Sequence, residues 1–270
     1  MTVSRRGLLI GGAVVAGAGA AGVAGWQVLP SNARFRIKGE LGLNPEPFVP
    51  DASEGEVRLE RVTSEHMGDI DLFTAVPDGH GDGAGLPVVV VMHGSSASAS
   101  DFQGFGLARF VTAAVEAGAP PFVLAGTDDG PSGWLPADGV DPQAMLRDEM
   151  PRWLEERGFA ADRRALWGWS RGGYGALRYV RQEPTWSSAI ALFSPALSPD
   201  DPALGDLDAL TSLPWGLWCG ENDPFHDGAV ALADAAPTPP DPWVEGEGGH
   251  TRVYWNDHTI DMLTWLSGNL

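Results

Sequence analysis

The chain has 270 residues, with 36 Asp and Glu against 17 Lys and Arg, for a formal net charge of −19. Its 43% hydrophobic and 20% charged residues are those of a folded globular protein, and its length suits one sizeable α/β domain with a short appendage. The acidity excludes a general role in nucleic-acid binding, which needs clustered cations, and the lone Cys219 excludes an intramolecular disulfide framework and a Cys-rich zinc site.

The chain opens on Ser4-Arg5-Arg6-Gly7-Leu8-Leu9, followed by an uncharged run from Gly7 to Leu29 rich in Gly, Ala and Val. A paired arginine before a mildly apolar, Gly/Ala-rich segment is the pattern of a twin-arginine export signal. Residues 1–25 are therefore expected to direct export across a bacterial inner membrane. Uncleaved, they would be the only membrane contact, as an N-terminal anchor. Residues 26–55, rich in Pro, Asn, Gly and Glu, read as a linker, and 56–270 as the catalytic-sized domain.

Glu56–Thr63 and Asp69–Val76 alternate apolar and polar residues and predict an antiparallel pair turning at His66–Gly68. The Gly/Asp-rich stretch Asp78–Gly85 lacks a calcium-loop motif and reads as a surface turn. Pro87–Met92 is a continuous β-branched run, as expected of a strand buried on both faces. Further strands are expected near Phe122–Gly126, Ala165–Trp169, Ala189–Phe193, Trp215–Cys219 and Trp243–Glu245. Helices are expected near Phe102–Ala117, Pro142–Arg157, Gly172–Arg181, Gly228–Ala235 and Trp255–Leu266. This alternation predicts an α/β fold with a mostly parallel central sheet and helices on both faces. Only a short segment separates Phe193 from Trp215, too little for a separate cap domain.

The chemistry gathers at strand ends. Gly168-Trp169-Ser170-Arg171-Gly172 follows an apolar strand and precedes a helix pattern, the context in which Gly-x-Ser-x-Gly lifts a serine hydroxyl above a sheet. A serine hydroxyl is a weak nucleophile and needs a base. His250, in the glycine-rich loop after the last strand, is the best placed of six histidines, with His258 the rival inside the last helix. The histidine needs an acid to fix its tautomer. Asp223 occupies the Gly-x-x-Asp position after the Trp215–Cys219 strand, with Glu221 as the alternative. His93-Gly94-Ser95-Ser96 follows the buried strand, where a backbone N–H joins that of the residue after the nucleophile in an oxyanion hole. The expected donors are the N–H groups of Ser95 (or Ser96) and Arg171. His93 is expected to orient this loop.

Taken together, these stretches resemble the α/β-hydrolase superfamily. More narrowly they are similar to the esterase group that includes esterase D, feruloyl esterases and mycobacterial mycolyltransferases. The narrower likeness rests on Leu146–Leu154, Gly168–Ala176 and Gly249-His250-Thr251-Arg252-Val253-Tyr254-Trp255. The resemblance implies an α/β-hydrolase fold, with Ser170 as nucleophile, His250 as base and Asp223 as acid. It implies an ester as substrate, either a small molecule or one linked to the cell envelope. The sequence departs from the mycolyltransferases at His93, where they carry Asp, and in using Asp rather than Glu as the acid; both favour a carboxylesterase.

His93, Gly94, Phe102 and Trp134 are the expected substrate-binding residues, with Phe102, Phe105 and Trp134 as an apolar wall. Arg171, beside the serine, could pair with an acidic group of the substrate or with a carboxylate of the protein. No phosphate-cradling Gly-x-x-x-x-Gly-Lys is present, and no metal or other cofactor is expected.

Overall fold

The computed structural model describes residues 45–270. The expected export signal, and the expected linker up to residue 44, lie outside the described residues. Five apolar runs supply the parallel strands β3 (Pro87–Met92), β4 (Val123–Thr127), β5 (Ala160–Trp169), β6 (Ile190–Phe193) and β7 (Trp215–Trp218), and the two-residue β8 (Trp243–Val244) completes that side of the sheet. The hairpin β1 (Val57–Ser64) and β2 (Gly68–Ala75) joins antiparallel, giving one eight-stranded sheet in the order β1-β2-β4-β3-β5-β6-β7-β8.

Because successive side chains of a strand point to opposite faces, each buried strand feeds two cores. Val88, Val90 and Met92 of β3 join one, and Val89 and Val91 the other. The first core lies under a helical run, α2 (Pro142–Ala144, Met145–Glu149 and Met150–Glu156), with α3 (Arg171–Gln182) and α4 (His226–Ala235). The second lies under α1 (Leu107–Glu116) and α5 (Arg252–Gly268). The segment between β6 and β7 forms short 3-10 turns at Pro202–Gly205 and Asp208–Thr211, and Arg181 of α3 holds it by bonding Ala203 O and Asp206.

Several boundaries differ from the sequence expectation for physical reasons. The helix expected from Phe102 starts only at Leu107, because Gly106 takes a left-handed φ of 78°. β5 starts at Ala160, five residues before the apolar run, through polar Asp162, Arg163 and Arg164 at its margin. The middle of α2 is a π segment in which Met150 N–H bonds Met145 O. Pro151 follows it and has no N–H to give to the ordinary i−4 acceptor, so the slip in bonding falls just before it. The compact unit runs from Glu46 to Leu270, so residues 46–55, expected within the linker, are part of it. Phe48 stands edge-on to Phe110 at 6.0 Å, and its carbonyl accepts a 2.7 Å bond from Asn256 Nδ2. Among the described residues no helix is long and apolar enough to cross a membrane.

The strand order places the site. The chain passes from β3 to β4 on one side, and then returns to lay β5 on the other. The carboxyl ends of β3 and β5 therefore flank a topological switch point, where open α/β sheets leave a crevice. Met92 pairs with Gly168, so the loops leaving both strands emerge side by side.

Candidate active site

Ser170 connects β5 directly to α3. Its φ of 56° and ψ of −123° are a strained conformation for a residue with a side chain, which typically costs on the order of 1–3 kcal/mol and persists only where the surroundings enforce it. Here the surroundings are glycines. A Cβ on Gly172 would overlap the Met92 carbonyl, and one on Gly168 would overlap the carbonyl of Gly172. The turn is tied down by Ser170 N–H donating to Phe193 O at 2.9 Å, and by Ala196 N–H donating to Ser170 O at 3.1 Å. The hydroxyl is thereby fixed at the N-terminal end of α3, in a residue only 7% exposed.

His250 and Asp223 arrive from the far side of the sheet. Their loops touch backbone to backbone: a Cβ on Gly220 would overlap Gly248 O. Glu221 N–H donates to Gly246 O at 2.9 Å and Asn222 N–H to Gly248 O at 2.8 Å. This short ladder extends the β7–β8 pairing past the strand ends, and it sets the acid loop against the histidine loop. Ser170 Oγ then lies 2.8 Å from His250 Nε2, and His250 Nδ1 lies 2.9 Å from Asp223 Oδ2 and 3.1 Å from Oδ1. The Asp223 side chain is fully buried, and its Oδ1 also accepts Phe225 N–H at 2.9 Å. A carboxylate held in this way makes Nδ1 the protonated nitrogen of a neutral imidazole and leaves the Nε2 lone pair facing the serine. The ring is wedged edge-to-face between Phe225 and Trp255, at centroid distances of 5.1 and 4.9 Å. Trp255 is itself anchored by Nε1–H donating to Ser194 Oγ at 2.9 Å.

The alternatives left open by the sequence separate clearly. Glu221 is exposed, and only its backbone engages the histidine loop. His258 stands edge-on to Tyr254 within α5, at a centroid distance of 4.6 Å, and burial pushes its pKa down. Cys219 is buried in the sheet core with its thiol pKa pushed up, first by burial and then by the charge of Asp223; it is a packing residue.

The loop leaving β3 meets the serine as expected. A Cβ on Gly94 would lie 2.9 Å from Trp169 Nε1 and 3.1 Å from Ser170 Cβ, so only glycine allows this approach. Ser95 and Ser96 follow, exposed at the surface of the crevice. Arg171 is the first residue of α3, so its N–H has no intrahelical acceptor.

Three expected substrate-binding side chains lie elsewhere. Phe102 is fully buried, edge-on to Phe73, His93 and Trp169, and belongs to the core beneath α1. Trp134 is also buried; its Nε1–H donates to His93 O at 2.9 Å, and its carbonyl accepts from Gln143 Nε2 at 3.0 Å. His93 is 1% exposed, with Nδ1 2.8 Å from Gly94 O and its ring edge-on to Trp134. These are supports of the loop, not walls open to a substrate. They lie in the segments that follow the apolar strands β3 and β4, where composition alone does not separate an inward aromatic from a lining one.

Asp129, which sequence reasoning missed, settles the partner of Arg171. Arg171 Nη2 donates to Asp129 Oδ2 at 2.6 Å, and Gly133 packs against the arginine side chain. Burial raises the Asp129 pKa more than His93 and Arg171 lower it. The available signal was positional: Asp128 and Asp129 stand at the carboxyl end of β4, beside β3.

No curated protein sequence matches the chain. Among solved structures, a ferulic acid esterase superposes with a TM-score of 0.70 at 18% identity, covering 80% of this chain and 99% of that one. An S-formylglutathione hydrolase from Agrobacterium tumefaciens gives 0.63 at 16% identity, covering 81% and 98%. A fluorophosphonate-binding serine hydrolase from Staphylococcus aureus gives 0.63 at 15% identity, covering 80% and 99%. At such identities these likenesses establish the α/β-hydrolase fold. The profile of the family described as putative esterase matches residues 64–245, well over half of the sequence. The chain belongs to that esterase family.

Proposed function

We propose that the protein cleaves carboxylic esters in two steps through an acyl-enzyme on Ser170. His250 Nε2 takes the hydroxyl proton as Ser170 Oγ attacks the ester carbonyl carbon. The N–H groups of Arg171 and Ser95 hold the resulting oxyanion. The same proton passes from Nε2 to the departing alcohol. Water then attacks the acyl group, again giving its proton to His250, and the acid leaves with Ser170 restored. Asp223 keeps Nδ1 protonated and stabilises the imidazolium formed in each step. The single observation that carries this reading is the unbroken hydrogen-bond chain Ser170–His250–Asp223 at 2.8 and 2.9 Å.

Wild-type protein is expected to react with a fluorophosphonate probe, and Ser170→Ala to lose both that labelling and the turnover of p-nitrophenyl butyrate. Labelling retained in the variant would rule out Ser170 as nucleophile.

The same enzyme is proposed to work outside a bacterial inner membrane, on the strength of Arg5-Arg6 and the uncharged run after it. Replacing both arginines by lysine is expected to leave esterase activity inside the cell. Unchanged export, read by fractionation, would refute the twin-arginine assignment.

A further inference from the structure

The two margins of the sheet are unlike. One ends in β8, which is two residues long. The other ends in β1, eight residues that pair with β2 in an unbroken register, without a bulge or a proline. Among the described residues no strand pairs with the outer side of β1. A long regular edge offers a row of backbone donors and acceptors to another strand, and proteins ordinarily shorten, bulge or cover such an edge.

The direction of each backbone group of β1 follows from its register. Val57 stands opposite Ala75, so Glu56 stands opposite Val76, and Val76 N–H donates to Glu56 O at 2.9 Å. Bonded and non-bonded pairs alternate along an antiparallel ladder. Arg58, Glu60 and Val62 therefore turn their N–H and C=O groups to β2, and Val57, Leu59, Arg61 and Thr63 turn theirs outward. The phase of β2 agrees: Asp71, opposite Arg61, gives its N–H away from β1, to Asp128 Oδ2 at 2.9 Å. Within the outward set Leu59 is 47% exposed. With Phe48 it makes up the exposed large apolar side chains among the described residues.

The charges of β1 select a partner. In Val57-Arg58-Leu59-Glu60-Arg61-Val62, opposite charges flank Leu59. Two copies of an edge strand pair antiparallel about a twofold axis normal to the sheet, which sets one residue opposite its own copy. An axis at Arg58, Glu60 or Arg61 sets like charges face to face, which is destabilising. An axis at Leu59 sets Leu59 against the partner's Leu59, and Arg58 against the partner's Glu60 on both sides of the axis. In this register the outward backbone groups also coincide. Leu59 meets its copy and Val57 meets the partner's Arg61, all as bonded pairs, for about six backbone hydrogen bonds in all. Arg58 and Glu60 fall at non-bonded positions, where side chains approach more closely. Within their own chain they pair with Glu56 and Arg157. A carboxylate has a second oxygen and a guanidinium has further N–H groups, so these pairs leave both able to take another contact.

We propose that the outer edge of β1 binds a second copy of this chain, the two β1 strands pairing antiparallel about an axis at Leu59 so that two eight-stranded sheets become one.

The test is sedimentation velocity of the full chain at physiological ionic strength, which screens most of the repulsion between two acidic protomers. At about 100 µM the wild type is expected to sediment as a dimer, as suits a small edge interface. Leu59→Lys places two ammonium groups at the axis. It is expected to sediment as a monomer with Tm unchanged, because the position is exposed. Leu59→Cys reports the register. Bonded residues directly opposite stand about 5.5 Å apart at Cα, within disulfide range, so mild oxidation is expected to link this dimer covalently. Arg61→Cys would stand about 14 Å from its copy and stay unlinked, and the native Cys219 is buried. A wild type that stays monomeric, a dimer that survives Leu59→Lys, or equal linking of both cysteine variants would overturn the proposal. Should Leu59→Lys fail to fold, Leu59→Pro replaces it, since proline there removes an outward N–H and no bond to β2.

Discussion

Asp223→Asn is expected to lower kcat for p-nitrophenyl butyrate by about 10⁴-fold while leaving the fold intact. The size of the effect follows from the position of this carboxylate. Its side chain is fully buried, and both oxygens are committed, Oδ1 to Phe225 N–H and both to His250 Nδ1. An asparagine keeps the shape but offers an N–H where an acceptor is needed. The imidazole can satisfy that amide only by moving its proton to Nε2, which removes the lone pair facing Ser170 Oγ at 2.8 Å. The loss should fall on kcat and on the rate of fluorophosphonate labelling together, because both steps need the serine proton removed. Glu221→Gln is the control: that side chain is exposed and only its backbone is engaged, so turnover should stay within about twofold of wild type. Activity of Asp223→Asn within tenfold of wild type would remove Asp223 from the mechanism.

Trp134→Ala is expected to destabilise the protein by about 3–5 kcal/mol, the usual cost of emptying a buried tryptophan site. In a domain of this size that lowers Tm by about 6–20 °C. Trp134 is one of the largest fully buried side chains. It covers Gly175 of α3, packs on His93 at 5.3 Å, and gives its indole N–H to the His93 carbonyl at 2.9 Å. Truncation therefore opens a cavity and also leaves a buried carbonyl without its donor. A tryptophan that merely walled the substrate would behave in the opposite way, raising KM with Tm unchanged. Thermal unfolding and KM, measured on the same preparation, decide between the two roles.

These two residues also mark how far the sequence could be read. Ser170, His250 and Asp223 were legible because each stands at a strand end with a chemical requirement that few residue types meet. Glycines packed the turn around Ser170 and let the loops at 220 and 248 touch. The strands themselves were legible from their β-branched and aromatic runs, since a strand buried on both faces must be apolar throughout. The roles of Phe102 and Trp134 were not legible. An aromatic residue near a strand end satisfies a core and a cleft equally well in composition, and only the direction of its side chain separates them. α1 starts past Phe102, after Gly106, and that ring is fully buried. The partner of Arg171 was hidden for a different reason: Asp129 reaches it across the sheet order, from β4 past β3, and adjacency of strands is not written locally in the chain.

The two halves of the proposed catalytic arrangement are fastened with unequal security. Ser170 hangs from β5, in the interior of the sheet, with strands on either side. Asp223 and His250 hang from β7 and β8, and β8 is a half-buried edge strand of two residues. Cys219 N–H donates to Val244 O at its end, and beyond it two backbone bonds hold the acid and histidine loops in register, from Glu221 N–H to Gly246 O and from Asn222 N–H to Gly248 O. A local opening confined to that margin would part the base from the nucleophile while the central strands stayed folded. Opening of that edge is expected to need less free energy than unfolding of the domain, so activity is expected to be lost before the fold on heating.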